Sequence, residues 1–231
     1  MLAWITFFAH HPGALRHPSS DRRGKKSGDA EVARSNRILE RLRETARGFP
    51  DLRARLRALP MHLVARVGGV RIGIAHGDAE SLAGWHFSQE ALRERPERAQ
   101  ALLAGTDIDV FACTHTCLPV MQDFATPRGW ALIVNNGAAG MPNFRDTCFG
   151  LATRIAVAPS ANALYSAKIG DIAVESVPVR YDHDAWMTDF DRVWPVGSPA
   201  SLSYRDRIAR GPGYEPGQAV RTSARVMSRA A

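Results

Sequence analysis

The stretch that decides the fold is "HLVARVGGVRIGIAHGD", residues 62–78. Leu63, Ala65 and Val67 alternate with other residues, and so do Val70, Ile72 and Ile74, which is the period of a β-strand. Gly68 and Gly69 join the two runs, and glycine supplies the positive φ of a two-residue hairpin turn. The pattern predicts a β-hairpin. Its second strand stops on His76, with Gly77 and Asp78 directly behind. A strand end holds a histidine rigidly, the loop after it lets a neutral imidazole turn toward a ligand, and Gly77 allows close backbone approach.

Two further strands end in a similar way. "IDVFACTH" runs into His115, and "WALIVNNGAAG" runs into an Asn/Gly loop. In layered α/β folds, strand ends gather on one edge of a sheet, where ligands bind. The loops "AHGDAES", "CTHTCLP" and "NNGAAGMPN" can therefore bring His76, His115 and Asn136 together. Each piece also has a plain structural reading. A lone histidine is commonly a hydrogen-bonded core residue. Asp78 can cap a helix after it, with Glu80 or Ser81 in support. Cys117 can be a small buried apolar residue. Gly137 can serve a turn that needs positive φ. Glu80 and Trp85 can line a pocket, or form a helical first turn and a core aromatic. Three such loops in succession point to a site.

Around this centre the chain reads as α/β. "DAEVARSNRILERLRETARG" is helical, with Asp29 as a capping residue and Val32, Leu39, Leu42 and Ala46 near one face. "DLRARLRAL" is a second short helix with a Leu52, Leu56 and Leu59 stripe. "WHFSQEALRERPERAQALLAG" is helical, interrupted or kinked at Pro96. "FGLATRIAV", "ALYSA" and "IAVESVPVR" are sequential antiparallel strands. In "RYDHDAW", Tyr181, Asp182, His183 and Asp184 precede a helix beginning near Ala185. Residues 1–28 read as an irregular basic lead-in, 29–195 as one domain, and 196–231 as a loosely ordered basic tail.

Composition narrows the function classes. The chain has 231 residues, 45% of them hydrophobic and 23% charged, which is ordinary globular composition. No apolar run approaches the ~20 residues of a membrane helix, so no membrane partner is expected. Three cysteines, with Cys113 and Cys117 close together, make a poor disulfide framework and point to a reducing, cytoplasmic setting. The net charge of +7 raises nucleic-acid binding. The excess lies in the two ends and on arginine-rich helix surface, and no nucleic-acid motif accompanies it, which argues against that partner.

The order of the three loops resembles the C-terminal half of the calcineurin-like metallophosphoesterase family. "VRIGIAHGD" is similar to that family's strand-ending His motif. "THTCLP" lines up with its Gly-His-x-His-x-Pro pattern, with Thr114 in place of the glycine and Cys117 in place of the second histidine. "VNNGAAG" is similar to its Asn-Pro-Gly-Ser loop, with Asn136 where proline is usual. The match covers roughly residues 62–145. The resemblance implies a β-sandwich flanked by helices that hydrolyses a phosphate ester with divalent metal ions (Mn, Zn, Fe or Mg). It makes His76 and His115 metal ligands and Cys117 a third, with Asp78, Glu80, Asn136 and Gly137 as substrate or loop residues. It assigns no further catalytic residue. A thiolate in place of an imidazole favours a softer ion such as zinc, or leaves that position empty.

The first half of the family's pattern has no counterpart. Residues 1–27 contain no Asp-x-His and no Gly-Asp-x-x-Asp/Asn, and "SGDAEVA" at 27–33 offers Gly28 and Asp29 where a Gly-Asn-His/acid motif belongs. No aspartate is placed to bridge two cations, which repel at short range. The expectation is a fold lacking its first βαβ portion, through truncation or through degeneration. An uncovered sheet edge then implies poor solubility or a covering partner, a homo-oligomer included. Two functions follow: a metallophosphoesterase-like hydrolase, or a catalytically inactive remnant or binding module with the same fold.

Overall fold

A computed structural model describes residues 29–223. The irregular lead-in expected over residues 1–28 lies outside the described residues, as do residues 224–231. The rest divides into two compact units, residues 29–59 with 182–209, and residues 60–181 with 210–223. The first and last helices of the span 29–195 belong to the first of these units.

That helical unit contains α1 (Asp29–Arg47), α2 (Pro50–Arg57), α5 (His183–Val193) and α6 (Pro199–Arg210). In α1 the buried residues are Ile38 and Leu39. The leucine stripe expected on α2 stays at the surface, with Leu52 and Leu59 about half exposed and no residue of the helix buried. Asp182 caps α5 by accepting the Ala185 N–H at 2.9 Å, as the "RYDHDAW" pattern predicts. Arg34 Nε donates to Ser203 Oγ at 2.9 Å, and the Arg41 guanidinium lies 4.5 Å from the centre of the Trp194 ring.

The second unit is a mixed α/β sandwich. Its elements are β1 (His62–Val67), β2 (Val70–Ala75), α3 (Gln89–Glu94), α4 (Pro96–Gly105), β3 (Val110–Cys113), β4 (Pro119–Thr126), β5 (Gly129–Asn136), β6 (Phe149–Ala156), β7 (Tyr165–Ile169), β8 (Ile172–Arg180), α7 (Pro216–Ala219) and β9 (Val220–Arg221). A six-stranded sheet has the order β1-β2-β3-β5-β4-β9, and an antiparallel three-stranded sheet has the order β6-β8-β7. Period-2 alternation sends the two faces of the larger sheet to different partners. Ile72, Val110, Met121, Leu132 and Val134 meet Leu151, Tyr165, Ile172 and Val174 of the smaller sheet. Phe111, Val120 and Ile133 meet Phe87, Leu92 and Leu103 on the side of α3 and α4. Each of these apolar side chains stabilises the fold by about 1.5–3 kcal/mol on full burial.

The hairpin forms as its sequence predicts. Val67 pairs with Val70, and Gly68 and Gly69 turn the chain at φ 52° and 82°. A Cβ on Gly68 would lie 2.7 Å from Ile172 Cγ2, whereas one on Gly69 meets nothing. Gly69→Ala should therefore cost only the left-handed backbone penalty, about 1–2 kcal/mol. Gly68→Ala adds overpacking of about 1–3 kcal/mol. Urea midpoints of the two variants check the order; equal losses would show that Ile172 does not crowd the turn.

Two regions depart from the sequence pattern. Pro119–Thr126 forms β4, a strand with no periodic signature. The region expected as a loose tail is largely ordered, with α6, α7 and β9 all lying within it. Tyr214 donates its hydroxyl hydrogen to the Pro119 carbonyl at 2.9 Å and stacks on Phe144 with ring centres 6.0 Å apart. Val220 then pairs with Met121, so β9 closes the outer side of β4. Arg221 donates to the carbonyl and side-chain oxygens of Gln89 at 2.7 Å each. Single anchors of this kind leave no repeat in the sequence.

Candidate functional site

β2, β3 and β5 are neighbouring parallel strands, with Ile74 paired to Ala112 and Cys113 paired to Asn135. Their carboxyl ends therefore leave the sheet side by side. The Thr114 N–H continues the ladder to the His76 carbonyl at 3.2 Å, and Thr114 Oγ1 donates to the Gly137 carbonyl at 2.8 Å. All three expected loops thus share one edge.

His76 and His115 meet there. His115 Nδ1 stands 3.2 Å from His76 Nε2, and the rings are 5.0 Å apart at 63°. Trp85 packs edge-on against His115 with ring centres 5.7 Å apart, and it is 41% exposed. Burial holds the His76 imidazole below its ordinary pKa, so its neutral, lone-pair-bearing form is favoured.

The other expected site residues take different places. Cys117 does not join the pair. Its backbone is left-handed at φ 59°, and its thiol donates to the His115 carbonyl at 3.4 Å. Among the described residues, no three His, Cys, Asp or Glu side chains are grouped so as to hold an ion. Cys113 is buried, and burial followed by the Asp78 charge pushes its thiol well above the ordinary range. None of the three cysteines is in a disulfide.

Asp78 organises the loop after His76, and no helix follows it directly. Its carboxylate is 1% exposed. Oδ1 accepts the N–H groups of Glu80 and Ser81, both at 2.9 Å. Oδ2 accepts the His86 N–H at 3.1 Å and lies 3.1 Å from His86 Nδ1. A Cβ on Gly84 would overlap this carboxylate, so the loop closes on it only because residue 84 has no side chain. The first helix starts later, where Ser88 Oγ accepts the Ala91 N–H at 3.1 Å. Glu80 pairs with Arg98 of α4 at 3.1 Å and with His86 at 3.6 Å. It lines a small cavity of about 190 Å³ with Asp78, His86 and Arg98, to which neither His76 nor His115 contributes.

The Asn/Gly loop is also braced from within. Asn136 Nδ2 donates to the Leu151 carbonyl at 2.8 Å. Asn135, one residue earlier and on the other face, donates to the Phe87 carbonyl and Thr116 Oγ1 and accepts the Gly137 N–H. Gly137 has φ 70° with Asn143 Oδ1 where a Cβ would stand, so the turn needs glycine twice over. Asn143 was not singled out by sequence. It is fully buried, accepts the Ala138 N–H at 2.8 Å and donates to the Ala138 and Met141 carbonyls at 2.7 and 3.2 Å. A polar residue six positions after Gly137 in a Gly-rich loop was the available signal.

The histidine pair can be tested against a metal by its spacing. Two imidazole nitrogens about 2.0–2.1 Å from a tetrahedral zinc stand roughly 3.3 Å apart. The observed 3.2 Å suits two ligands of one cation, as well as one hydrogen bond between a protonated and an unprotonated nitrogen. The pair fits one ion at two of its positions. The described residues bring no carboxylate to it, so they do not fit two bridged ions.

No family model and no curated protein matches the chain. Among solved structures, hypothetical protein PH1004 from Pyrococcus horikoshii OT3 superposes with a TM-score of 0.50 at 13% identity, over 92% of this chain and 72% of that one. A metallophosphoesterase from Sphaerobacter thermophilus gives a TM-score of 0.41 at 14% identity, over 68% of this chain and 62% of that one. Vps29 from Entamoeba histolytica, solved with zinc, gives 0.27 at 19% identity, over 53% of this chain and 63% of that one. The first likeness is one of fold. Against the other two, the chain spans less than two thirds of the neighbour's length.

Proposed function

We propose that the His76–His115 pair holds a divalent cation in a phosphate-ester site, on a metallophosphoesterase-like fold of the calcineurin type. The observation that carries the reading is the 3.2 Å approach of two imidazole nitrogens at the ends of adjacent parallel strands. The order of the strand-end motifs, with Asn136 and Gly137 in the third loop, supports it. A bound cation of this kind supplies Lewis-acid neutralisation of phosphoryl charge. Burial keeps His76 in the neutral form that offers a lone pair. Thr114 ties the second strand end to the third loop, and Trp85 walls the His115 side from water. Ester hydrolysis asks mainly for positioning and charge neutralisation, which such a frame provides.

Calorimetric titration with Zn²⁺ and Mn²⁺, run beside hydrolysis of p-nitrophenyl phosphate, tests the proposal. One ion per chain is expected. His115→Ala should weaken binding at least ~100-fold, the loss of about 2.7 kcal/mol. Metal retained in a His76→Ala/His115→Ala double variant would overturn the site. Stoichiometric metal with no turnover would favour the second reading, a non-catalytic module that keeps the cation, which the lack of a carboxylate beside the pair among the described residues supports.

A further inference from the structure

The smaller sheet leaves part of the larger sheet's sandwich face uncovered. A cleft of about 450 Å³ opens there, within the size range of small-molecule sites. Ile74 and Ala112 form its floor, and Thr153 and Ile155 of β6 form a wall. Ile74 is 40% exposed although it sits inside a strand, so the cleft presents an apolar side chain to water. Among the described residues, no charged one lines it. At one end it reaches Thr114 and Asn136, and Thr114 is the residue directly before His115. The cleft is therefore continuous with the strand ends that carry the histidine pair.

We infer that this cleft takes the apolar substituent of a phosphate ester, an alkyl or aryl chain, whose phosphate lies at the His76–His115 end. The inference rests on the proposed function for the position of the phosphate. The occupant follows from three features: an uncharged, largely apolar floor and wall, a polar end at Thr114 and Asn136, and the position of that end one residue from His115. A strongly hydrophilic substituent would leave its polar groups unpaired against Ile74, Ala112 and Ile155. An alkyl chain gains from the same surface, about threefold to fourfold in affinity for each methylene fully buried.

Calorimetry with decyl phosphate below its micellar concentration, compared with methyl phosphate, tests this in the zinc-loaded protein. Decyl phosphate should bind at least ~30-fold more tightly, since even partial burial of its chain exceeds three methylenes. Thr153→Phe, on the face of β6 that Leu151 and Ile155 turn to the larger sheet, fills the cleft from its wall and should abolish the advantage while leaving methyl phosphate and zinc binding unchanged. Ile74→Asn, at an exposed position and without a charge that would act on phosphate or zinc, should do the same, so the test does not depend on one variant folding. Equal affinities for the two phosphates, or an advantage that survives both variants, would overturn the inference. Failure of the proposed function gives a different result. Decyl phosphate would then still bind in an Ile74-dependent way, with an affinity that His76→Ala leaves unchanged, and methyl phosphate would not bind.

Discussion

Replacing Asp78 by alanine is expected to destabilise the protein by about 3–5 kcal/mol, the range seen when one partner of a buried charged network is removed. The substitution removes the single carboxylate that satisfies three backbone N–H groups and faces a histidine nitrogen. Each donor left unpaired in a buried loop costs about 1–3 kcal/mol, partly recovered as water enters. Asp78→Asn is the sharper probe. It keeps the shape but turns an amide NH₂ toward N–H donors, so it should still lose more than ~1.5 kcal/mol. Urea unfolding gives the magnitude, and hydrogen exchange at the Glu80, Ser81 and His86 amides gives the cause. A loss in Asp78→Ala below that of an ordinary surface substitution, or unchanged protection at those amides, would refute the carboxylate's organising role. The effect reaches the site because residues 77–86 run from His76 to Trp85, which packs on His115.

Asn143→Ala should cost about 2–4 kcal/mol, because it strips one acceptor and two donors from the buried loop at residues 137–141. Asn143→Asp should be at least as damaging, since a carboxylate can accept the Ala138 N–H but repels the Ala138 and Met141 carbonyls. Thermal unfolding of the two variants decides. If Asn143→Asp proved milder than Asn143→Ala, the amide hydrogens would not be what holds the turn. Thr114 donates to the Gly137 carbonyl, so loosening this loop should also loosen the backbone beside His115.

The parts of the fold legible in sequence are those with a repeating physical cause. The Gly68-Gly69 hairpin, the interruption at Pro96 and the three antiparallel strands β6, β7 and β8 follow from φ preferences and period 2. The meeting of His76 and His115 followed from two apolar runs ending alike, because parallel strands deliver their ends to one edge. β4 gave no such signal. Val120 and Met121 are both fully buried, one against α3 and α4 and the other in the sandwich, and burial on both faces erases alternation. Asp78 looked like a helix cap because spacing alone does not distinguish a cap from a carboxylate wrapped by a loop. Gly84, whose lack of a side chain permits the wrapping, decides between them. Cys117 matched a ligand position by register, but its left-handed backbone and its bond to the His115 carbonyl take the thiol away from the pair.

The Tyr214–Pro119 hydrogen bond spans 95 residues of chain, and the β9 pairing sits beside it. Seen in time, this is a slow closure. The β1-β2 and β7-β8 hairpins join near neighbours and can form in microseconds, whereas distant pairings must first meet the entropy of a long loop. The clasp over β4 is therefore a late seam of its unit. Until it closes, β4 is a bare edge open to other chains, and the interval in which the protein is most prone to aggregate is set by about a dozen residues around Tyr214.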